Sequence, residues 1–289
     1  MQELTTAYRH LINNCRPDVV TGPRVISLLD AAREFMGSFE REVGEAEAAR
    51  ARVAFRSAAQ TLLRQAHWLE DDARAALADF IEEQQEFLSE DGYRFTNDFF
   101  STNILHWQRD LARFVGRPGL SFLEVGSYEG KSACWLLRNV LTHESGRLTC
   151  VDVFEQGKSQ GVFDTTGRDS ASMTAEDRFD HNIRQTGAGH RVTKLKGLSG
   201  VLLRTLPLAS YDFIYIDGSH TARDVLEDAV MAWPLLKPGG RITFDDYLWK
   251  DHPEPLLRPQ MAIDAFLKVY EGHYRLVRCD YQVTLEKLS

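Results

Sequence analysis

From Tyr93 onward, short apolar runs alternate with helical segments, and this alternation constrains the fold more than any other feature of the 289 residues. Residues 121–125 (SFLEV) predict a strand, followed by a glycine-containing turn and a helix through Leu141. Further strands are expected at 147–153 (RLTCVDV), 192–196, 213–217 (FIYID) and 241–245 (RITFD), with Lys237-Pro-Gly-Gly240 as the turn into the last. Helices are expected over 223–236 and 261–270. Residues 274–278 and 281–288, with only Cys279-Asp280 between them, predict a closing antiparallel hairpin. Such an order implies an α/β fold, a mostly parallel sheet of seven strands with helices on both faces. Ligands in such sheets sit at the carboxyl ends of the strands, so the chemistry is expected just after residues 125, 153, 196, 217 and 245.

The first ninety residues follow a different pattern. Stretches 25–43 and 46–90 are rich in Ala, Leu, Glu and Arg. In the second, Leu62, Leu63, Ala66, Leu69, Ala73, Ala76, Leu77, Phe80 and Ile81 recur at helical spacing. Asp91-Gly92 closes this region. The reading is a helical N-terminal region over 1–92, serving as a dimerising element or active-site cap, and a second domain over 93–289.

Bulk properties exclude some functions. Thirty-four basic against 42 acidic residues leave a net charge of −8, the wrong sign for holding nucleic acid by bulk electrostatics. Cys15, Cys134, Cys150 and Cys279 form no C-x-x-C pair and are read as reduced thiols, two of them inside apolar segments. No stretch has the length of a membrane span, and the N-terminus lacks an apolar signal core. A cytoplasmic protein with no membrane partner, forming a homo-oligomer, is expected.

The first strand ends in Glu124-Val-Gly126-Ser-Tyr-Glu-Gly130-Lys-Ser132. Glycines here let backbone approach a ligand, and the following helix points N–H groups at it. The segment also nearly spells a phosphate-binding P-loop, one residue short because Val125 stands where glycine is required, and this leaves a nucleotide hydrolase as an alternative. Asp152 ends the second strand, where a carboxylate accepts ribose hydroxyls. Gly197-Leu198-Ser199 forms a small turn suited to an adenine edge. The fourth and fifth strands end in Asp217-Gly-Ser-His220 and Asp245-Asp246-Tyr247. Adjacent parallel strands bring Asp217, Asp245 and Asp246 together, and three oxygen donors repelling one another suit a hard cation such as Mg²⁺. His220 is placed as a general base, imidazole having a reference pKa of ~6.5.

Taken as an ordered set, these motifs, with Leu236-Lys-Pro-Gly-Gly240 and Asp245-Asp-Tyr-Leu-Trp249, resemble class I S-adenosylmethionine (SAM)-dependent methyltransferases over about two-thirds of the chain. The resemblance is to the metal-dependent O-methyltransferases of the catechol and caffeoyl-CoA type, and more closely to the macrolide-sugar branch. It implies a Rossmann-like sheet. It implies SAM held by Glu124, Gly126, Ser127, Tyr128, Gly130 and Ser132 under the methionine, Asp152 with Val153 at the ribose, Ser199 at the adenine, and Asp217 nearby. It implies a divalent ion on Asp217, Asp245 and Asp246, the last standing where the catechol enzymes usually carry asparagine. His220 stands where those enzymes have lysine and where the macrolide-sugar branch has histidine. The implied reaction is methylation of a small-molecule hydroxyl, of a natural-product sugar, polyketide or phenolic, in secondary metabolism, with His220 and Asp217 catalytic. A methyltransferase-like binding module without chemistry is the non-enzymatic alternative. The polar segment 155–180 is a candidate lid, and Pro253 to Pro259 a candidate wall of the acceptor pocket.

Overall fold

The computed structural model describes residues 20–43, 55–56, 59, 62–63, 68–85, 92–95, 99–154, 174–250 and 252–288. They fall into two compact units, Met1–Leu105 and His106–Ser289. In the first, α1 (Gly22–Val43) and α2 (Asp71–Gln85) are helical as their periodicity predicts. Val25, Leu29, Ala32 and Met36 of α1 bury one stripe against Leu62, Ala73, Leu77 and Phe80. Trp68 Nε1 donates to the Val20 carbonyl at 3.1 Å. Much of 46–90, Cys15 and Asp91 lie outside the described residues.

The second unit is the expected sheet. Its strands are β1 (Ser121–Val125), β2 (Arg147–Asp152), β3 (Val192–Lys196), β4 (Tyr211–Ile216), β5 (Leu236–Phe244), β6 (Tyr274–Cys279) and β7 (Val283–Lys287). Their order is β3-β2-β1-β4-β5-β7-β6. The first five run parallel, and β7 and β6 close the edge antiparallel. The order reverses between β1 and β4, which opens a crevice at their carboxyl ends. Helices α3 (Ile104–Asp110), α4 (Lys131–Asn139), α5 (Ala175–Gln185), α6 (Ser199–Leu202), α7 (Ala222–Ala232) and α8 (Pro259–Val269) complete the unit.

Alternation along each strand divides the core. Leu123, Val125, Ile214, Ile216, Ile242 and Phe244 pack against Val225 and Ala229 of α7 and Ile263 and Phe266 of α8. On the opposite parity, Trp107 of α3 meets Phe213 and Tyr215 edge-on, with ring centroids 5.6 and 4.7 Å apart. Cys134 and Cys150 are buried and form no disulfide among the described residues, and burial raises both thiols. No helix among the described residues is long and apolar enough to cross a membrane.

Two local expectations change. Lys237-Pro-Gly-Gly240 is no turn before a strand: it lies within β5, where the pairing register shifts between Tyr211 and Phe213 of β4. A bulge absorbs the extra residues without ending the ladder. Of the candidate lid, 155–173 lies outside the described residues, while 175–180 is helix, because Thr174 and Asp177 form a reciprocal capping box that starts α5.

Gly126 is required by the sheet itself. It has φ +88°, and a Cβ there would stand 1.9 Å from the Asp217 carbonyl oxygen at the end of β4. Gly126→Ala is therefore expected to cost more than about 2 kcal/mol, through left-handed strain and backbone overlap. The urea midpoint measures this, and an unchanged midpoint would contradict the close approach.

Candidate functional site

The candidate site residues gather at the carboxyl ends of β1, β2, β3, β4 and β5. Glu124, the last but one residue of β1, is fully buried. It accepts from Ser127 Oγ at 2.7 Å and from Ser132 Oγ, with the Cys150 thiol 3.6 Å away. These bonds fasten the β1–α4 loop to the strand that precedes it. Burial dominates its ionisation and pushes its pKa up to about 7, against the pull of the two serines.

Asp152 closes the loop from the other side. Its Oδ2 accepts the amides of Ser127 and Tyr128, both at 2.8 Å, and its Oδ1 accepts that of Phe154 at 2.6 Å. A carboxylate offers about four acceptor positions, so one remains, on Oδ1. It suffices for one ribose hydroxyl, where the sequence suggested two. The same bonds answer the P-loop alternative. The amides of Ser127 and Tyr128 face a carboxylate, and that of Gly126 donates to the Val151 carbonyl at 2.9 Å, so the loop offers no phosphate cradle. Gly130, at φ +81°, starts α4 against the Phe179 ring.

Beside Asp152, Val153 is 39% exposed, and Leu198, at the end of β3, is 67% exposed. Two uncovered apolar side chains beside the half-buried Ser199 suit the faces and edge of a purine. With the ribose acid and the anchored loop, they fit a SAM molecule.

Tyr215 hydroxyl bridges Asp217 Oδ2, at 3.0 Å, and Asp245 Oδ2. Burial, then mutual repulsion with the neighbouring acids, raises Asp217 well above the carboxylate range and Asp245 to about 7. Asp246 has φ +58°. Its amide donates to Asp245 Oδ1 at 2.7 Å, its Oδ1 accepts Tyr281 hydroxyl at 2.7 Å, and its Oδ2 lies 2.6 Å from His220 Nε2. His220 in turn packs on Trp249, centroids 4.9 Å apart. Among the described residues four non-glycines have positive φ, and Tyr128, Phe154 and Asp246 among them follow the ends of β1, β2 and β5. Strain of this kind is retained where surrounding contacts over-determine it, commonly at functional sites.

Residues 123–247 match the family model described as a methyltransferase domain. Over that segment the chain is similar to a methyltransferase domain. The strand order, with its reversed last hairpin, makes a Rossmann-like sheet. Among solved structures, a Corynebacterium glutamicum protein is 18% identical over 89% of this chain and 98% of its own, with a TM-score of 0.50, and shares the fold. An O-methyltransferase from Bacillus cereus, in complex with SAH, is 17% identical over 72% of this chain and 90% of its own, TM-score 0.48. The O-methyltransferase TomG from Streptomyces achromogenes, involved in tomaymycin synthesis and in complex with SAM, is 19% identical over 65% and 79%, TM-score 0.46. No curated protein matches the chain.

Within residues 123–247, the three acids read as metal ligands come together but are turned to other partners. Among the described residues no group of three or more His, Cys, Asp and Glu side chains stands assembled as a metal site. The donor chemistry nevertheless fits a hard cation: three carboxylates crowd one edge, and a shared hydroxyl proton and an imidazole take up their oxygens. Sequence reasoning missed Tyr215, Tyr281 and Gln282. Tyr215 alternates with core residues and looks like one of them. Gln282 accepts from Trp107 Nε1 at 2.9 Å and donates to Tyr215 hydroxyl at 3.5 Å, a buried link that only the β5–β7–β6 pairing creates.

Glu124 gives the domain a pH signature. In the unfolded chain its pKa is near the 4.5 reference, and in the fold it is about 7. The native state thus holds a proton that the unfolded chain has released, so this stabilisation is full below pH 4.5 and is lost as pH rises to about 7. The loss is on the order of 3 kcal/mol for Glu124, and Asp245 and Asp228, also raised, act in the same direction. Chemical denaturation from pH 4.5 to 8 is expected to show falling stability, with a shallower fall in Glu124→Gln. Equal slopes in the two proteins would refute the assignment.

Proposed function

We propose that the protein is an O-methyltransferase that moves the methyl group of SAM to a hydroxyl of a small molecule. The observation that carries the reading is His220 held on Asp246 beside the acidic end of β4 and β5, next to the loop fitted for SAM. SAM supplies an already activated methyl group, so the protein's tasks are to align the acceptor and remove its proton. Glu124 keeps the β1–α4 loop in register, and Asp152 fixes the ribose end. Asp246 accepts from His220 Nε2, which holds the ring in one tautomer and makes Nδ1 its basic nitrogen. His220 takes the hydroxyl proton. The half-exposed Tyr281, on the other side of Asp246 from His220, offers a ring face for an aromatic or sugar acceptor, in keeping with a natural-product sugar, polyketide or phenolic substrate, while buried Trp249 backs the His220 ring.

Asp217, Asp245 and Asp246 are the residues that would hold a divalent cation, Mg²⁺ being the reading for an all-oxygen set. When bound, such an ion supplies a lowered pKa to an acceptor hydroxyl. The N-terminal helices are proposed as a dimerising or acceptor-capping element.

The test is release of S-adenosylhomocysteine from SAM over a panel of sugars, diols and phenols, with Mg²⁺ or with a chelator. His220→Ala is expected to lower kcat roughly 10²–10⁴-fold while leaving SAM affinity by calorimetry nearly unchanged. A variant as fast as the wild type would remove His220 from the chemistry. Full activity in chelator would remove the cation.

A further inference from the structure

The bulge in β5 sets the segment Lys237-Pro-Gly-Gly240 opposite a single residue of β4. Asp212 stands alone there, between the Tyr211–Leu236 and Phe213–Arg241 pairs. This happens at the amino ends of the strands, the far end of the sheet from the candidate site. The looped backbone 238–240 forms one wall of a cleft of about 230 Å³, and Arg113, Phe114, Arg117 and Asp212 line the rest. Gly239, at φ +74°, borders open space, since a Cβ there would meet nothing within 4 Å. The surroundings are cationic, in a chain of net charge −8. Three guanidiniums share Glu286, with Arg113 at 2.7 Å, Arg275 at 2.9 Å and Arg241 at 3.3 Å. Asp212 Oδ2 accepts from Lys237 Nζ and from the Ser121 amide, both at 2.8 Å. Arg117 is exposed and has no ion-pair partner among the described residues. Five cationic side chains thus meet two acids, a surplus of three positive charges.

Glu286 and its arginines have a structural use, because they tie β5, β6 and β7 to the turn that carries Arg113. Arg117 has no part in that network, yet it lines the same cleft. Arg113 is held at the cleft wall by the Phe114 ring, 4.6 Å from its guanidinium carbon, and by the Gly239 carbonyl, which accepts from Nη2. Its contacts to Glu286 and Gly239 use two of the five N–H groups of a guanidinium, and the others remain for a ligand. Burial, then the charges of Arg241, Arg275 and Arg117, holds Arg113 below the usual guanidinium range against the pull of Glu286. An anion in the cleft would relieve that repulsion. We propose that the cleft binds a phosphate monoester dianion between Arg113 and Arg117. Paired guanidiniums match the oxygens of a phosphate with directed, charge-assisted hydrogen bonds. Two negative charges cancel most of the surplus, where one carboxylate would leave the larger part. The open space beside Gly239 accommodates the ester group. This site lies across the sheet from the crevice fitted for SAM and does not rest on that reading.

The experiment is calorimetric titration of the full chain with methyl phosphate, at pH 8 and low ionic strength. The wild type is expected to bind with a dissociation constant of about 1 mM or below, weakening as salt is added. Arg117→Gln, at an exposed position outside the Glu286 network, is expected to weaken binding roughly tenfold or more, the worth of a charge-assisted hydrogen bond. Gly239→Asp sets a carboxylate in the mouth of the cleft and is expected to abolish binding. Gly239→Asn, neutral and equally tolerant of a left-handed backbone, is expected to stay within about threefold of the wild type. Vesicles carrying phosphatidic acid separate two sources of the same group. Methyl phosphate binding without pelleting on the vesicles identifies a soluble ester, and pelleting that Arg117→Gln abolishes identifies a lipid headgroup. A wild type that takes up no methyl phosphate at roughly 10 mM overturns the proposal. Binding that Arg117→Gln and Gly239→Asp leave unchanged overturns it as well, because the phosphate is then held elsewhere on the chain.

Discussion

Where a side chain on Gly126 would stand, the Asp217 carbonyl already does, and this close approach of β1 and β4 sets the geometry of the acidic edge. The two strands pair from Phe122 with Phe213 to Val125 with Ile216, and the Asp217 amide continues the ladder to the Val125 carbonyl at 2.7 Å. The loop carrying Ser127 and Tyr128 must leave the sheet immediately, which puts its amides over Asp152 on one side and its serines on Glu124 on the other. The same contact brings Asp217 up beside Asp245. The anchored β1–α4 loop and the acidic cluster are thus two consequences of one piece of backbone packing.

The second constraint is charge. Glu124, Asp217, Asp228 and Asp245 are all withdrawn from water, and burial is the leading reason each is raised. The fold holds Glu124, Asp217 and Asp245 through hydroxyls, from Ser127, Ser132 and Tyr215. Neutral donors leave the acids able to exchange a proton, a cation or a ligand hydrogen bond, which a buried arginine would foreclose.

How much of this was legible follows residue by residue. Glu124, Asp152, Asp217, Asp245 and Asp246 were found because each ends an apolar run, and a parallel sheet brings such ends to one side whatever their distance in sequence. Their partners were harder. Tyr215 lies in a run of apolar residues and shows its hydroxyl's purpose only when β5 places Asp245 beside it. Gln282 and Tyr281 sit in the β6–β7 turn, and nothing local says that this turn folds back over Asp246. Asp228 resembles the solvent-facing acids of any amphipathic helix until the packing of α7 turns it inward. The bulge at Lys237-Pro-Gly-Gly240 was misjudged because proline and glycine mark turns and bulges alike, and only the neighbouring strand distinguishes the two.

The sequence by itself determined the α/β class, the bounds of β1 and β3, the closing hairpin and the acids at the strand ends, because these depend on periodicity and on short-range steric rules. Tertiary structure alone decided what each acid does. It directed Asp152 to three backbone amides and one remaining acceptor position, set Asp246 on His220, and gave Asp217 and Asp245 a single tyrosine proton. Such pairings join residues from 2 to 30 positions apart, and a hydrogen bond requires positions fixed to a few tenths of an ångström. A linear pattern carries no information at that scale, whereas the packed sheet does.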